Sequence, residues 1–135
     1  MASEDILVDD DMEPDPELNR ITNAILGAAI EVHRTLGPGF SEGVYANAME
    51  LEFKHRGIPY LRECPIEVMY RSKLVGKGRM DFLVEGKVVL DLKAIESFAP
   101  IHTAQMISYL RATRHPLGLL LNFNVRRLKA SKSIP

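Results

Sequence analysis

Cysteine is nearly absent from this chain: Cys64 stands alone. A single thiol cannot form an intramolecular disulfide, so a reducing, cytoplasmic setting is the default expectation. Long apolar runs are missing too. Near the C-terminus, Leu117-Gly118-Leu119-Leu120-Leu121 is far too short to span a bilayer, and no membrane association is expected. The N-terminus lacks the basic leader and apolar block of a secretory signal. His33, His55, His102 and His115 show no paired zinc-ligand spacing. Gly76-Lys77-Gly78 is too short for a nucleotide-hydrolase phosphate loop.

Bases are missing from one end. Residues 1–17 hold Glu4, Asp5, Asp9, Asp10, Asp11, Glu13, Asp15 and Glu17 with no lysine or arginine. The remaining residues then carry ten acids against 17 bases, about +7, although the whole chain is only −1. A basic body suits a polyanionic partner, because neutralising phosphates releases counterions. The same excess also occurs on ordinary soluble domains, so charge alone does not specify nucleic acid. The leader contains Pro14 and Pro16 and one short Ile6-Leu7-Val8 run, which predicts a disordered tail over 1–17.

The rest reads as one domain over 18–130, followed by a short C-terminal tail at 131–135. Apolar residues at Leu18, Ile21, Ile25, Ala29, Val32 and Leu36 keep to one stripe and predict a helix, stopped by Gly37-Pro38-Gly39. Ser41 is placed to cap a second helix that ends at Gly57. The period then changes. Ile66, Val68 and Tyr70 alternate with Glu67, Met69 and Arg71, the pattern of a half-buried strand. A flexible turn is expected at Gly76-Lys77-Gly78, then strands over 79–84 and 87–94 hinged on Glu85-Gly86-Lys87. A helix over 100–112 and a buried strand over 117–123 follow, with a basic segment from Asn124 onward. The expected architecture is α/β, a central mixed four-stranded sheet flanked by helices.

Parity sorts the 79–94 hairpin into two faces. Met80, Phe82, Val84, Val88, Leu90, Leu92 and Ala94 form a wholly apolar face that must pack on helices. The opposite face mixes Leu83 and Val89 with Arg79, Asp81, Asp91 and Lys93. A turn symmetric about Gly86 sets Val84 opposite Val88 and Asp81 opposite Asp91. Opposed like charges are destabilising unless something lies between them, and a divalent cation would suit. Lys93 is on the same face, two residues on. On spacing alone, a cation site and a solvated salt-bridge face fit equally well.

The segment Gly39-Phe40-Ser41-Glu42-Gly43-Val44-Tyr45 resembles the signature of the GxxExxY proteins. The similarity continues through Gly57-Ile58-Pro59, Arg79-Met80-Asp81-Phe82, Asp91-Leu92-Lys93, His102-Thr103-Ala104-Gln105 and Ser108-Tyr109-Leu110-Arg111-Ala112-Thr113. That family is placed in the PD-(D/E)xK nuclease superfamily, whose restriction-endonuclease-like core runs αβββαβ; the 18–36 helix would precede it. The resemblance implies that Asp81 and Asp91 are metal-binding acids and Lys93 the lysine of the D/E-x-K element. It further implies that Glu42 is an additional acid near the metal and that the Leu92 carbonyl is a further ligand. Gln105 and Tyr109 resemble the Gln-x-x-x-Tyr pair of the RecB-like branch. Met80 stands where the motif has proline, and Asp91 where relatives more often have Glu.

The activity so implied is Mg²⁺- or Mn²⁺-dependent hydrolysis of phosphodiester bonds in DNA or RNA. The alternative is a non-catalytic nucleic-acid-binding or assembly module that keeps the fold. A structural reading also exists for each helix residue: Glu42 favours a helix dipole, and Tyr45 and Tyr109 suit packing. The cluster Arg126, Arg127, Lys129 and Lys132 reads either as phosphate contacts or as a solvated tail. Oligomeric state is left open.

Overall fold

The structure, a computed structural model, describes residues 6–9 and 15–135. Nine elements follow in order: β1 (Ile6–Asp9), α1 (Pro16–Leu36), α2 (Glu42–Arg56), β2 (Tyr60–Tyr70), β3 (Lys73–Val84), β4 (Val88–Lys93), α3 (Pro100–Thr113), β5 (Leu117–Asn122) and β6 (Leu128–Ser133). The run α2-β2-β3-β4-α3-β5 is the expected αβββαβ core, with α1 ahead of it. The sheet is mixed and ordered β1-β6-β5-β4-β3-β2. It therefore has two strands more than expected, both from segments whose charge concealed them.

One is β6. Leu128 and Ala130 are buried while Lys129 is exposed, an amphipathic alternation inside a basic segment, and the strand pairs antiparallel with β5. The expected tail at 131–135 thus begins inside a strand. The other is β1, drawn from the Ile6-Leu7-Val8 run, which pairs parallel with β6 from Ile6↔Leu128 to Asp9↔Ser131. The leader is accordingly not structureless over these four positions; residues 1–5 and 10–14 lie outside the described residues.

Helix α1 starts earlier than its apolar stripe, because Asp15 caps it: Oδ1 accepts from the Glu17 and Leu18 amides at 2.9 and 3.1 Å. Ser41 occupies the corresponding position before α2, yet its side chain makes no capping bond. α1 and α2 cover one face of the sheet through Ile21, Ile25, Tyr45 and Phe53, which meet Phe82, Leu90 and Leu119. α3 covers the other face, where Met106 and Leu110 meet Ile66, Met80, Val89 and Leu120.

The β2–β3 turn is not at the glycines. Arg71 and Ser72, with φ of 48° and 62°, turn the chain between Tyr70 and Lys73, the double left-handed geometry of a tight hairpin. Gly76 and Gly78 lie within β3 instead. β4 reaches β3 only at Phe82–Val84, so the earlier half of β3 has β2 on one side and no ladder partner on the other among the described residues.

The parity rule also fails at one place. Met80 and Phe82 should share a face, but Met80 packs toward α3 and Phe82 toward α1 and α2. Opposite this point, Glu63 adopts φ 57° between the Arg62↔Phe82 and Cys64↔Met80 pairs. A left-handed residue rotates the strand about its axis, and the facing strand rotates with it. Asp81 sits at the crossover.

Candidate functional site

The β3–β4 turn at Glu85 (φ 51°) and Gly86 (φ 70°) sets the register Val84↔Val88, Leu83↔Val89 and Phe82↔Leu90. One step further along the same register, Asp81 faces Asp91. There the backbone ladder is replaced by carboxylates. The Asp81 amide donates to Asp91 Oδ1 at 3.1 Å, and the Leu92 amide donates to Asp81 Oδ2 at 2.8 Å. Each acid thus bonds the opposite strand, and neither has another hydrogen-bond partner among the described residues. Asp91 is 6% exposed. Burial first, and then the charges of Asp81 and Glu42, push its carboxyl up to about 6, against the backbone bond and the opposing pull of Lys93.

The other expected residues divide. Glu42 opens α2, and its Oε2 lies 3.4 Å from the Ala94 amide, which brings it to the end of β4. Lys93 is half-buried there, next to Leu92. The Leu92 N–H points at β3, and in an extended strand the carbonyl of the same residue turns to the same edge. Tyr109 packs on Gly78, where an added Cβ would lie 3.2 Å from its hydroxyl; this close approach is what the glycine permits. Burial, then Asp91 and Asp81, raise the Tyr109 hydroxyl, which therefore stays protonated as a donor. Gln105 is not brought in: it is exposed on α3 and has no hydrogen bond to the acids. His102, one turn earlier, accepts the Ala99 amide on Nδ1 at 2.9 Å and closes the start of α3.

Asn122 was not singled out by sequence reasoning, although a polar residue ending the apolar run 117–121 is a visible signal. It is fully buried. Its Oδ1 accepts from the Ile95 and Asn124 amides, both at 3.1 Å, and its Nδ2 donates to the Ile95 carbonyl at 2.9 Å. It clamps together the loops that leave β4 and β5, immediately past Lys93. Beside it, Phe123 stacks on Tyr45 at 4.6 Å and donates its amide to the Lys93 carbonyl at 3.0 Å. The Tyr45 hydroxyl donates to the Gly37 carbonyl at 2.6 Å, tying the α1–α2 turn to the same corner. A cavity of about 150 Å³ opens by Asp81, lined by Glu42, Ala46, Arg62, Glu63 and Arg79 among others.

No three His, Cys, Asp or Glu side chains among the described residues gather into a metal-holding cluster. The donors at the end of β4 are two carboxylates and a carbonyl, hard oxygens of the kind that hold Mg²⁺ together with waters or substrate phosphates. A buried carboxylate with acidic neighbours is also an environment that a cation would relieve. The donor set fits a hard divalent ion.

These elements, in this order, define a nuclease-type α/β domain. Residues 19–133 match the family model of the PD-(D/E)XK nuclease superfamily, and the chain belongs to that superfamily. Its fold is similar to that of the crystal structure of SSO0001, with a TM-score of 0.55 and 19% identity over 99% of this chain and 69% of that chain. No curated protein matches the sequence. Members of the superfamily typically use divalent metals. No described helix is long and apolar enough to cross a membrane.

Proposed function

We propose that this protein hydrolyses phosphodiester bonds of DNA or RNA with a divalent cation, Mg²⁺ or Mn²⁺. The observation that carries the reading is the reciprocal bonding of Asp81 and Asp91 across β3 and β4, with Lys93 and Glu42 beside them. Asp81, Asp91 and the Leu92 carbonyl would hold the ion, and Glu42 adds negative charge nearby. Such an ion supplies Lewis acidity to a phosphate oxygen and to water. The backbone amides of Asp81 and Leu92 fix the two carboxylates before substrate arrives, which removes reorganisation from the reaction step. Lys93 positions the attacking water or stabilises charge developing on the phosphate. Tyr109, protonated and near both acids, offers a donor on the α3 side. The Gly39–Tyr45 segment supports placement with the GxxExxY proteins. Tyr109, without Gln105 at its side, gives only half of the pair that marks the RecB-like branch.

The test is cleavage of labelled single- and double-stranded DNA and RNA with Mg²⁺ or Mn²⁺ by wild type, Asp91→Ala and Lys93→Ala. Both variants are expected to lose about 100-fold or more in rate. Equal cleavage by all three would assign the activity elsewhere. No cleavage by any, with nucleic acid still bound, would establish the non-catalytic module instead.

A further inference from the structure

A second cavity, of about 310 Å³, lies between the end of α1 and the β5–β6 loop, lined by Ile30, His33, Arg34, Pro38, Arg126 and Arg127 beside Gly37. This is within the size range of pockets that bind small molecules or parts of larger ones. Three arginines line it and, among the described residues, no carboxylate does; Arg34 reaches out of it to pair with Glu31 at 3.8 Å. Other surface cavities differ: one contains Glu31 and Glu52 beside His55 and Arg56, and the cavity at Asp81 contains Glu42 and Glu63. Arg126 forms no ion pair among the described residues. Guanidinium forks match phosphate oxygens in charge and in bidentate geometry.

The loop that carries the arginines is held from below. His33 is buried, and its Nε2 lies 2.7 Å from the Val125 carbonyl. A carbonyl only accepts, so Nε2 carries the hydrogen, and the bond fixes the residue just before Arg126 against α1. Phe123 is fixed by Tyr45 and by the Lys93 carbonyl, and Asn124 by Asn122. The pocket and Lys93 are therefore joined through one short, anchored stretch of backbone. A chain of phosphates lying over the end of β4 would meet these arginines next.

We propose that this pocket binds a backbone phosphate of the nucleic acid, flanking the bond placed at Asp81 and Asp91. The inference rests on the nucleic-acid reading above. Arg126 and Arg127 anchor the strand and hold its register, and they take no part in the chemistry.

The test is anisotropy of a short labelled DNA duplex and of its single strand, titrated in EDTA over a range of salt. It compares wild type, Arg126→Ala/Arg127→Ala, and Lys54→Ala/Lys87→Ala. The last pair removes the same charge at the far end of the sheet. Both arginines are exposed, and urea unfolding of the variant checks that it keeps the fold. The arginine variant should bind about tenfold or more weakly, and its log–log salt slope on duplex should fall by about 1, as for one lost phosphate contact, whereas the lysine variant should stay near wild type. Equal losses in both variants, unchanged binding in the arginine variant, or no binding by wild type would each overturn the anchor. Cleavage assays on the same variants and on Asp91→Ala separate the two readings. Arginine-dependent binding without cleavage by wild type overturns only the nuclease. Asp91-dependent cleavage with arginine-independent binding overturns only the anchor.

Discussion

Replacing Asp91 by asparagine should make the metal-free protein more stable, even though it removes a residue at the heart of the site. Asparagine keeps an Oδ1 to accept the Asp81 amide, and it brings no charge into a position only 6% exposed. In the folded chain the Asp91 carboxyl is pushed from its ordinary 3.8 to about 6, chiefly by burial. Between those two values the folded chain keeps a proton that the unfolded chain has shed. Stability contributed by the protonated acid is therefore complete below about pH 4 and lost as pH rises through about 6. The gap corresponds to about 3 kcal/mol, an upper bound for the gain on substitution. Urea unfolding in EDTA, at about pH 4 and about pH 8, measures it; the two proteins share every other titrating group, so those contributions cancel in the difference. Asp91→Asn should exceed wild type by up to about 3 kcal/mol at the higher pH and by little at the lower. Excess Mg²⁺ should then narrow the gap by stabilising wild type alone. A variant less stable than wild type at the higher pH, or a difference independent of pH, would refute the argument.

Two further outcomes follow from packing. Asn122→Ala strands the Ile95 and Asn124 backbone groups inside the protein and should cost about 2–4 kcal/mol in urea unfolding; a loss under 1 kcal/mol would show that water replaces the clamp. Gly118→Ala places a Cβ onto Met106 Sδ and Cγ and should cost about 1–3 kcal/mol. Adding Met106→Ala should relieve the overlap, so the double variant should lose less than the two single losses combined.

Where the sequence was readable, a local rule fixed a distant relation. Gly86 marked a tight turn, the turn set the register, and the register placed Asp81 beside Asp91. α1 was legible from its apolar stripe, and α1 and α2 from the glycines that stop them. The failures have physical causes as well. The β2–β3 turn uses Arg71 and Ser72 in left-handed conformations that glycine usually fills, which makes Gly76 and Gly78 a misleading turn signal. Those glycines serve a packing purpose at Gly78, which depends on where α3 lies. β6 was hidden because its polar positions are lysines and serines, and β1 because its few apolar residues lie among acids. Glu63 overturned parity on both strands, and nothing in its neighbours' identities announces a positive φ. At the site, helix spacing put Gln105 and Tyr109 on one face but could not say which would be buried; Tyr109 packs on Gly78 close enough to feel both acids, and Gln105 stays exposed.

The overhang of β3 past the end of β4 bears on how another extended chain would meet this sheet. Its rim, unpaired among the described residues, is an invitation for any passing extended chain to add a rung. Lys73, Lys77 and Arg79 stud that stretch with positive charge, so a second copy approaching edge-on meets repulsion along its length. Replacing these cations with neutral β-formers is expected to turn the overhang into a seed for aggregates.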